Sequence, residues 1–303
     1  MKIAPLTLGT VQLGIPYGIA NAGGKPEKAM SDAILTEALR HGITTWDTSR
    51  HYGNSEAVIG RFLHEGREVP EDLLLVSKFQ WSAAALTDVQ RAREEAKMHV
   101  QQSLETLGIP VLPLLLYHKG PDQPMEPLMR MLPAVMKELQ EIGWIRKGGI
   151  SVYYPEEVLA IRDAYLQVVQ VPVSVFDQRM VHNGGLAQLE AQGKFVFARS
   201  VFLQGLFFLE ESQVPSHLQE AIPWLRRLRE LVRQSELDTA SFAFSYVRDL
   251  PGITSVVFGA EHPDQVRQNA ALLQAPALSA EIRMAVTEAF RDLPRKVITP
   301  GMW

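Results

Sequence analysis

The sequence predicts an α/β protein of the (β/α)8 TIM-barrel class, and three observations carry that expectation. Eight short segments that are almost wholly apolar recur along the chain, each followed by a stretch with helical periodicity. Strands apolar on both faces belong in a parallel sheet covered by helices. The first strand–helix turn reads Gly9-Thr10-Val11-Gln12-Leu13-Gly14, not G-x-G-x-x-G, which argues against an open, doubly wound dinucleotide fold. No linker or break in composition divides the 303 residues, a length that barrels reach undivided. One barrel domain over residues 1–303 is expected, with extra helices before strand eight and at the C-terminus.

In order, strand one covers residues 6–10, and a glycine- and proline-rich loop (16–26) leads to a helix over 26–41. Ala29, Ile34 and Leu39 are that helix's buried candidates and Gly42 its stop. Strand two spans 43–47; Ser55 starts a helix whose apolar face is Val58, Ile59 and Phe62. Strand three spans 73–78, and Thr87 caps a helix running to about Leu107 and ended by Gly108. Strand four covers 111–117, a helix 126–142 and strand five 145–152. Pro155, Glu156 and Glu157 open a helix over 155–165, where proline is pre-organised and acids suit the helix dipole. Strand six spans 168–171, a short helix lies near Leu186, and strand seven spans 195–198. Helices over 216–234 and 239–249 precede strand eight (253–258); Pro263 opens the next helix, and 278–290 forms the last.

Composition narrows the function classes. With 46% hydrophobic and 21% charged residues, the chain reads as a globular protein with a sizeable core. A net charge of -4 offers no basic footprint for nucleic acid or anionic membrane. There is no cysteine, so disulfides, thiolate metal sites and cysteine nucleophiles are excluded, and no metal is expected. Pro5 interrupts the N-terminus too soon for a signal peptide, and no apolar run approaches the roughly 20 residues of a membrane helix. A cytoplasmic protein with a small-molecule partner is expected; nothing in the sequence assigns an oligomeric state.

In a barrel, catalytic groups gather at the C-terminal ends of the strands. Asp47 ends strand two, Tyr52 stands in its loop, Lys78 ends strand three and His118 follows strand four. Any one has an ordinary explanation, as a turn cap, a loop aromatic, a solvated lysine or a locally bonded histidine. Together they fit one mechanism. A phenol is a weak acid with a pKa of about 10, and a neighbouring ammonium favours its ionised form. Asp47 holds Lys78 in place, and His118 offers a second hydrogen bond to a carbonyl oxygen. That set polarises a carbonyl and hands it a proton, and the missing hydride donor implies a nicotinamide cofactor.

Trp46-Asp47-Thr48-Ser49-x-x-Tyr52-Gly53-Asn54-Ser55-Glu56, Val76-Ser77-Lys78 and Leu115-Leu116-Tyr117-His118 resemble the aldo-keto reductases. The likeness runs on through Gly149-Ile150-Ser151-Val152-Tyr153, Val169-Gln170-Val171-Pro172, Arg199 to Gly205, and Phe258-Gly259-Ala260-Glu261-x-Pro263-x-Gln265-x-x-Gln268-Asn269. It implies a barrel that binds extended NAD(P)(H) and interconverts an aldehyde or ketone, sugars and keto-sugars included, with its alcohol. The family's tetrad falls on Asp47, Tyr52, Lys78 and His118. On the same resemblance Ser151 and Gln170, with Asp47 nearby, hold the nicotinamide carboxamide. Gly9, Thr10 and Val11 form the first-strand turn beside the cofactor. Ser200, Val201, Phe202, Gln204 and Gly205 form the loop over the pyrophosphate, and Arg199 precedes them at the nicotinamide end of the cofactor. Gly259, Glu261, Gln265, Gln268 and Asn269 lie along the adenosine. Three positions depart from the pattern: Val152 and Ser174 replace frequent asparagines, and Arg199 stands where many members place an aromatic under the nicotinamide ring.

His51, Trp81, Tyr153 and the tail 297–303 are candidates for lining the substrate pocket. Family habit favours NADP, yet residues 259–265 carry two acids and no permanent cation, which favours NAD. Two other readings stand beside the reductase: a regulatory subunit that keeps a nucleotide as a sensor, and a lyase using Lys78 as a Schiff-base nucleophile.

Overall fold

Runs such as Leu74-Leu75-Val76 and Leu114-Leu115-Leu116 have no polar face to give to water, so their strands must be enclosed. In the computed structural model, which describes every residue except Ala22 and Arg67, they are. Strands β1 (Leu6–Gly9), β2 (Thr45–Asp47), β3 (Leu74–Phe79), β4 (Leu112–His118), β5 (Ile145–Ser151), β6 (Leu166–Pro172), β7 (Phe195–Arg199) and β8 (Ser255–Gly259) pair in sequence order. All the pairings are parallel, and β8 pairs with β1 to close the barrel.

Around the barrel run α1 (Lys28–Arg40), α2 (Ser55–His64), α3 (Val89–Leu107), α4 (Met125–Glu141), α5 (Pro155–Leu159), α6 (Gly185–Ala191), α7 (Ile222–Ser235), α8 (Thr239–Arg248), α9 (Pro263–Ala271) and α10 (Ala280–Ala289). As expected, α7 precedes β8 and α10 lies toward the C-terminus. None of the described helices is long and apolar enough to cross a membrane.

The core has two parts. A large cluster between strands and helices takes one face of each strand, including Leu75, Leu115, Val169, Val196 and Val256. A small one inside the barrel takes the other: Val76, Leu114, Leu116, Val168 and Phe197, with Val257 against them. Because side chains alternate along a strand, the residue two beyond the last inner one of each strand faces inward too, at the C-terminal mouth. Those residues are Lys78, His118, Gln170, Arg199 and Gly259.

Several local expectations are corrected. Asp88, not Thr87, caps α3, accepting from the N–H groups of Gln90 and Arg91. Ala29 is exposed and Leu39 half-buried; Ile34, Leu35 and Ala38 form the buried stripe of α1. The helix expected over 155–165 stops at Leu159. Asp163 takes the N–H of Tyr165 on its side chain at 2.7 Å and that of Leu166 on its carbonyl, turning the chain into β6 two residues early. The helix expected over 216–234 begins as a 3-10 segment, Ser216–Ala221, and becomes α-helical at Ile222.

Candidate active site

Ring by ring, the mouth is built from strand ends. Lys78 is fully buried, and its ammonium uses three donors on three acceptors: Asp47 Oδ2 at 2.7 Å, the Thr48 carbonyl at 2.9 Å and Tyr52 Oη at 3.2 Å. Asp47 Oδ1 accepts from Gln170 Nε2 at 3.1 Å, and Gln170 Oε1 accepts from Ser151 Oγ at 3.1 Å. A single chain of hydrogen bonds thus joins Ser151, Gln170, Asp47, Lys78 and Tyr52, across β5, β6, β2 and β3. His118 presents its ring edge-on to Tyr52, with centroids 5.9 Å apart.

The Tyr52 loop is held by close backbone approach. A Cβ on Gly14 would run into the Tyr52 carbonyl, and Gly53, at φ +55°, turns back onto Gly14. The Tyr52 N–H bonds the Ser49 carbonyl at 3.1 Å, and its carbonyl accepts from Ser55, the first residue of α2. Thr10 is wholly buried and braces the same corner: its N–H and hydroxyl both donate to the Asp47 carbonyl, and Ser55 Oγ donates to its carbonyl.

Burial decides the charges. It pushes the Tyr52 phenol above its ordinary range, with the Asp47 carboxylate adding to the effect and Arg199 opposing it. Burial thus sets the direction for the phenol, although the Lys78 ammonium stands 3.2 Å from its oxygen. Burial also lowers Lys78, against the pull of Asp47. His118 falls well below the usual histidine range, first through burial and then through Lys78, Arg199 and His51, so it is a neutral imidazole at neutral pH. Tyr52 is therefore a protonated donor. Since its oxygen accepts from Lys78, its own proton is directed elsewhere.

The remaining predicted residues fall into two further groups. Ser200, Leu203, Gln204 and Gly205 all have positive φ and form a tightly coiled loop after β7, with the Gly205 N–H bonded to the Phe202 carbonyl. Val201 is buried and Phe202 packs on Phe208. Gln204 Nε2 donates to Tyr17 Oη at 3.1 Å, joining this loop to the one after β1, where Val11 opens a single helical turn. On α9, Gln265 and Gln268 are exposed and Asn269 half-buried, beside the half-buried Glu261. Gln265 Oε1 takes the Glu261 N–H at 2.6 Å, and Asn269 Nδ2 donates to the Gln265 carbonyl at 2.7 Å.

Gly9 and Gly259 stand side by side in register at the ends of β1 and β8, so that side of the mouth has no side chains from the strands. Gln12, which sequence reasoning left without a role, lies against Gly259. Polar atoms buried without a partner lie along the same track: Gln12 Oε1, His118 Nδ1 and Asn269 Oδ1. Such atoms fit a long polar ligand running from the barrel mouth to α9, as a dinucleotide does.

A second residue pair also went unread. Lys119, after β4, forms a buried ion pair with Glu157 of α5 at 2.6 Å, and Glu157 Oε2 accepts the N–H groups of Tyr153 and Tyr154. A lysine next to a histidine gave no pairing signal, because Glu157 is 38 positions away. Of the pocket candidates, His51 is exposed at the rim with its ring 6.3 Å from His118. Trp81 is instead buried, packed at a tilt against Tyr117 and donating to the Ala92 carbonyl, so it supports the wall. The tail reaches the mouth at Gly301, where an added Cβ would sit 3.6 Å from the Tyr153 ring.

Comparison with known proteins decides the family, since the model described as "Aldo/keto reductase family" matches residues 5–289. The chain belongs to the aldo/keto reductase family. This aldo-keto reductase is similar to an NADH-specific methylglyoxal reductase of Escherichia coli (strain K12), 25% identical over 90% of each chain. It is also similar to an L-glyceraldehyde 3-phosphate reductase of Escherichia coli O157:H7, 26% identical over 86% of this chain and 83% of that one. Among solved structures, the holo form of an aldo-keto reductase from Bacillus halodurans superposes with a TM-score of 0.75, covering 97% of this chain and 95% of that chain. At 21% identity that likeness speaks for the fold. The protein is an oxidoreductase of the nicotinamide-dependent carbonyl-reducing class.

Proposed function

We propose that residues 1–303 work as one barrel domain that reduces a small aldehyde or ketone to its alcohol, with Tyr52 as the general acid. The carrying observation is the Lys78 ammonium bonded to Tyr52 Oη, which leaves the phenolic proton free to be given. In this reading Tyr52 and the neutral His118 bind the carbonyl oxygen together. Asp47 orients Lys78, and Lys78 stabilises the phenolate once its proton has left. Ser151 and Gln170 hold the nicotinamide carboxamide. Gly9, Thr10, Val11 and Arg199 to Gly205 border the rest of the cofactor as far as the pyrophosphate, and Gly259, Glu261, Gln265, Gln268 and Asn269 its adenosine end. A bound reduced nicotinamide supplies the hydride. The relatives' substrates, methylglyoxal and L-glyceraldehyde 3-phosphate, support short oxo compounds as the first to try. NADH is read as serving at least as well as NADPH, in keeping with the acids of residues 259–265 and the NADH-specific relative.

The test is reduced-cofactor consumption across a panel of small aldehydes, ketones and aldoses, with wild type and Tyr52→Phe. Removing the proton donor while keeping the ring is expected to cut kcat at least ~10²-fold and leave the cofactor Kd nearly unchanged. Turnover like that of the wild type in the variant would refute the assignment.

A further inference from the structure

The cation ending β7 has no carboxylate partner among the described residues. Arg199 donates to the Val152 carbonyl at 3.0 Å and to Ser200 Oγ at 3.3 Å, and its guanidinium lies 4.5 Å from the centre of the Tyr153 ring. Among the described residues no carboxylate lies within ion-pair distance of it. The carboxylate of the mouth, Asp47, is already paired with Lys78. The mouth therefore carries one uncompensated positive charge, on a half-buried side chain that shares the inner face of its strand with Phe197. That charge is felt at Tyr52, Lys78 and His118, where it opposes protonation.

Reduced and oxidised nicotinamide differ in a property that such a charge reads, because the reduced ring is neutral and the oxidised ring is a cation. We infer that Arg199 makes the mouth select the reduced cofactor over the oxidised one, so that it captures NAD(P)H and expels NAD(P)+ after hydride transfer. The inference rests on the reading above that the mouth takes a nicotinamide. Like charges a few ångströms apart, at an effective dielectric near 20, repel enough to change an equilibrium constant more than about tenfold. Each tenfold preference raises the potential of the bound two-electron couple by about 30 mV. The cost falls on hydride transfer, which becomes less downhill on the protein; the gain is relief from inhibition by the spent cofactor.

Titration calorimetry of the full chain with NADH and with NAD+ tests this, using wild type, Arg199→Gln and Arg199→Lys. The wild type is expected to bind NADH at least about tenfold more tightly. Arg199→Gln, which keeps a donor for the Val152 carbonyl, should shrink the ratio Kd(NAD+)/Kd(NADH) about tenfold, chiefly by tightening NAD+. Arg199→Lys should restore most of it. A merely structural arginine would weaken both forms equally in both variants, and an unchanged ratio in Arg199→Gln overturns the inference. So does a wild type that prefers NAD+, a result that needs no variant to fold. Failure of the wild type to bind either form would refute the nicotinamide reading itself, and this inference with it.

Discussion

Lys78 and His118 face the same mouth from neighbouring strands, with Lys78 in register with Leu116 and His118 two residues further along, yet the barrel treats them differently. Lys78 keeps a carboxylate beside it, whereas the charges that reach His118 are cationic and its Nδ1 is buried without a partner. In the proposed reaction a neutral His118 would donate a hydrogen bond to the carbonyl and leave proton delivery to Tyr52. This has a thermodynamic signature. The folded pKa of His118 lies below the unfolded value of about 6.5, so the unfolded chain takes up the proton first. Stability from the neutral imidazole is fully present above about pH 6.5 and is lost as the pH falls from there toward the folded pKa. His118→Gln removes that dependence. Urea unfolding at about pH 7.5 and 5.5 should show the wild type losing roughly 1 kcal/mol more than the variant. Equal losses would mean that the imidazole titrates in its ordinary range.

The loops over the mouth are tied to elements that do not touch it. Glu157, in the first turn of α5, receives the backbone of Tyr153 and Tyr154 and the buried ammonium of Lys119. This places the ring on which Arg199 stacks. Glu157→Ala leaves a buried lysine and two N–H groups without their partner, a loss in the range of 3–5 kcal/mol. Chemical denaturation should show it. Glu157→Gln retains an acceptor and should recover part of that stability; a cost below about 1 kcal/mol for the alanine variant would show the pair to be dispensable.

Across the molecule, the packing of α9 on α1 decides which charges stand at the end of the track proposed for the cofactor's adenosine. Arg267 is drawn away to Glu37 of α1 at 3.2 Å and also pairs with Asp264, while Glu37 holds Arg40 and His41 as well. His262 is turned onto Asp264. Glu261, its carboxyl raised by burial, is thus left beside Gln265, and among the described residues no free guanidinium stands there to receive a 2′-phosphate. The expectation is a kcat/KM for NADH at least equal to that for NADPH, and a shift of about tenfold or more toward NADPH in Glu261→Arg. Steady-state kinetics with both cofactors decide it. A tenfold wild-type preference for NADPH, unmoved by the substitution, would refute it.

What the sequence determined by itself was periodicity and order: eight buried strands, the helices between them, and the polar residues at the strand ends. Both follow from local rules, since alternation sends Val76 and Lys78 to one face wherever the strand lies. Element ends were less legible, because Asp88 and Asp163 set them by side-chain bonds that compete over one or two residues. Only the closed barrel decided the rest. It buries Tyr52 and His118 deeply enough to set their protonation, and joins Asp47 to Gln170 across 123 positions. It also turns Trp81 into the wall and leaves Arg199 without a carboxylate among the described residues. Charge and burial are sums over neighbours distant in the chain, and those neighbours exist only once β8 has met β1.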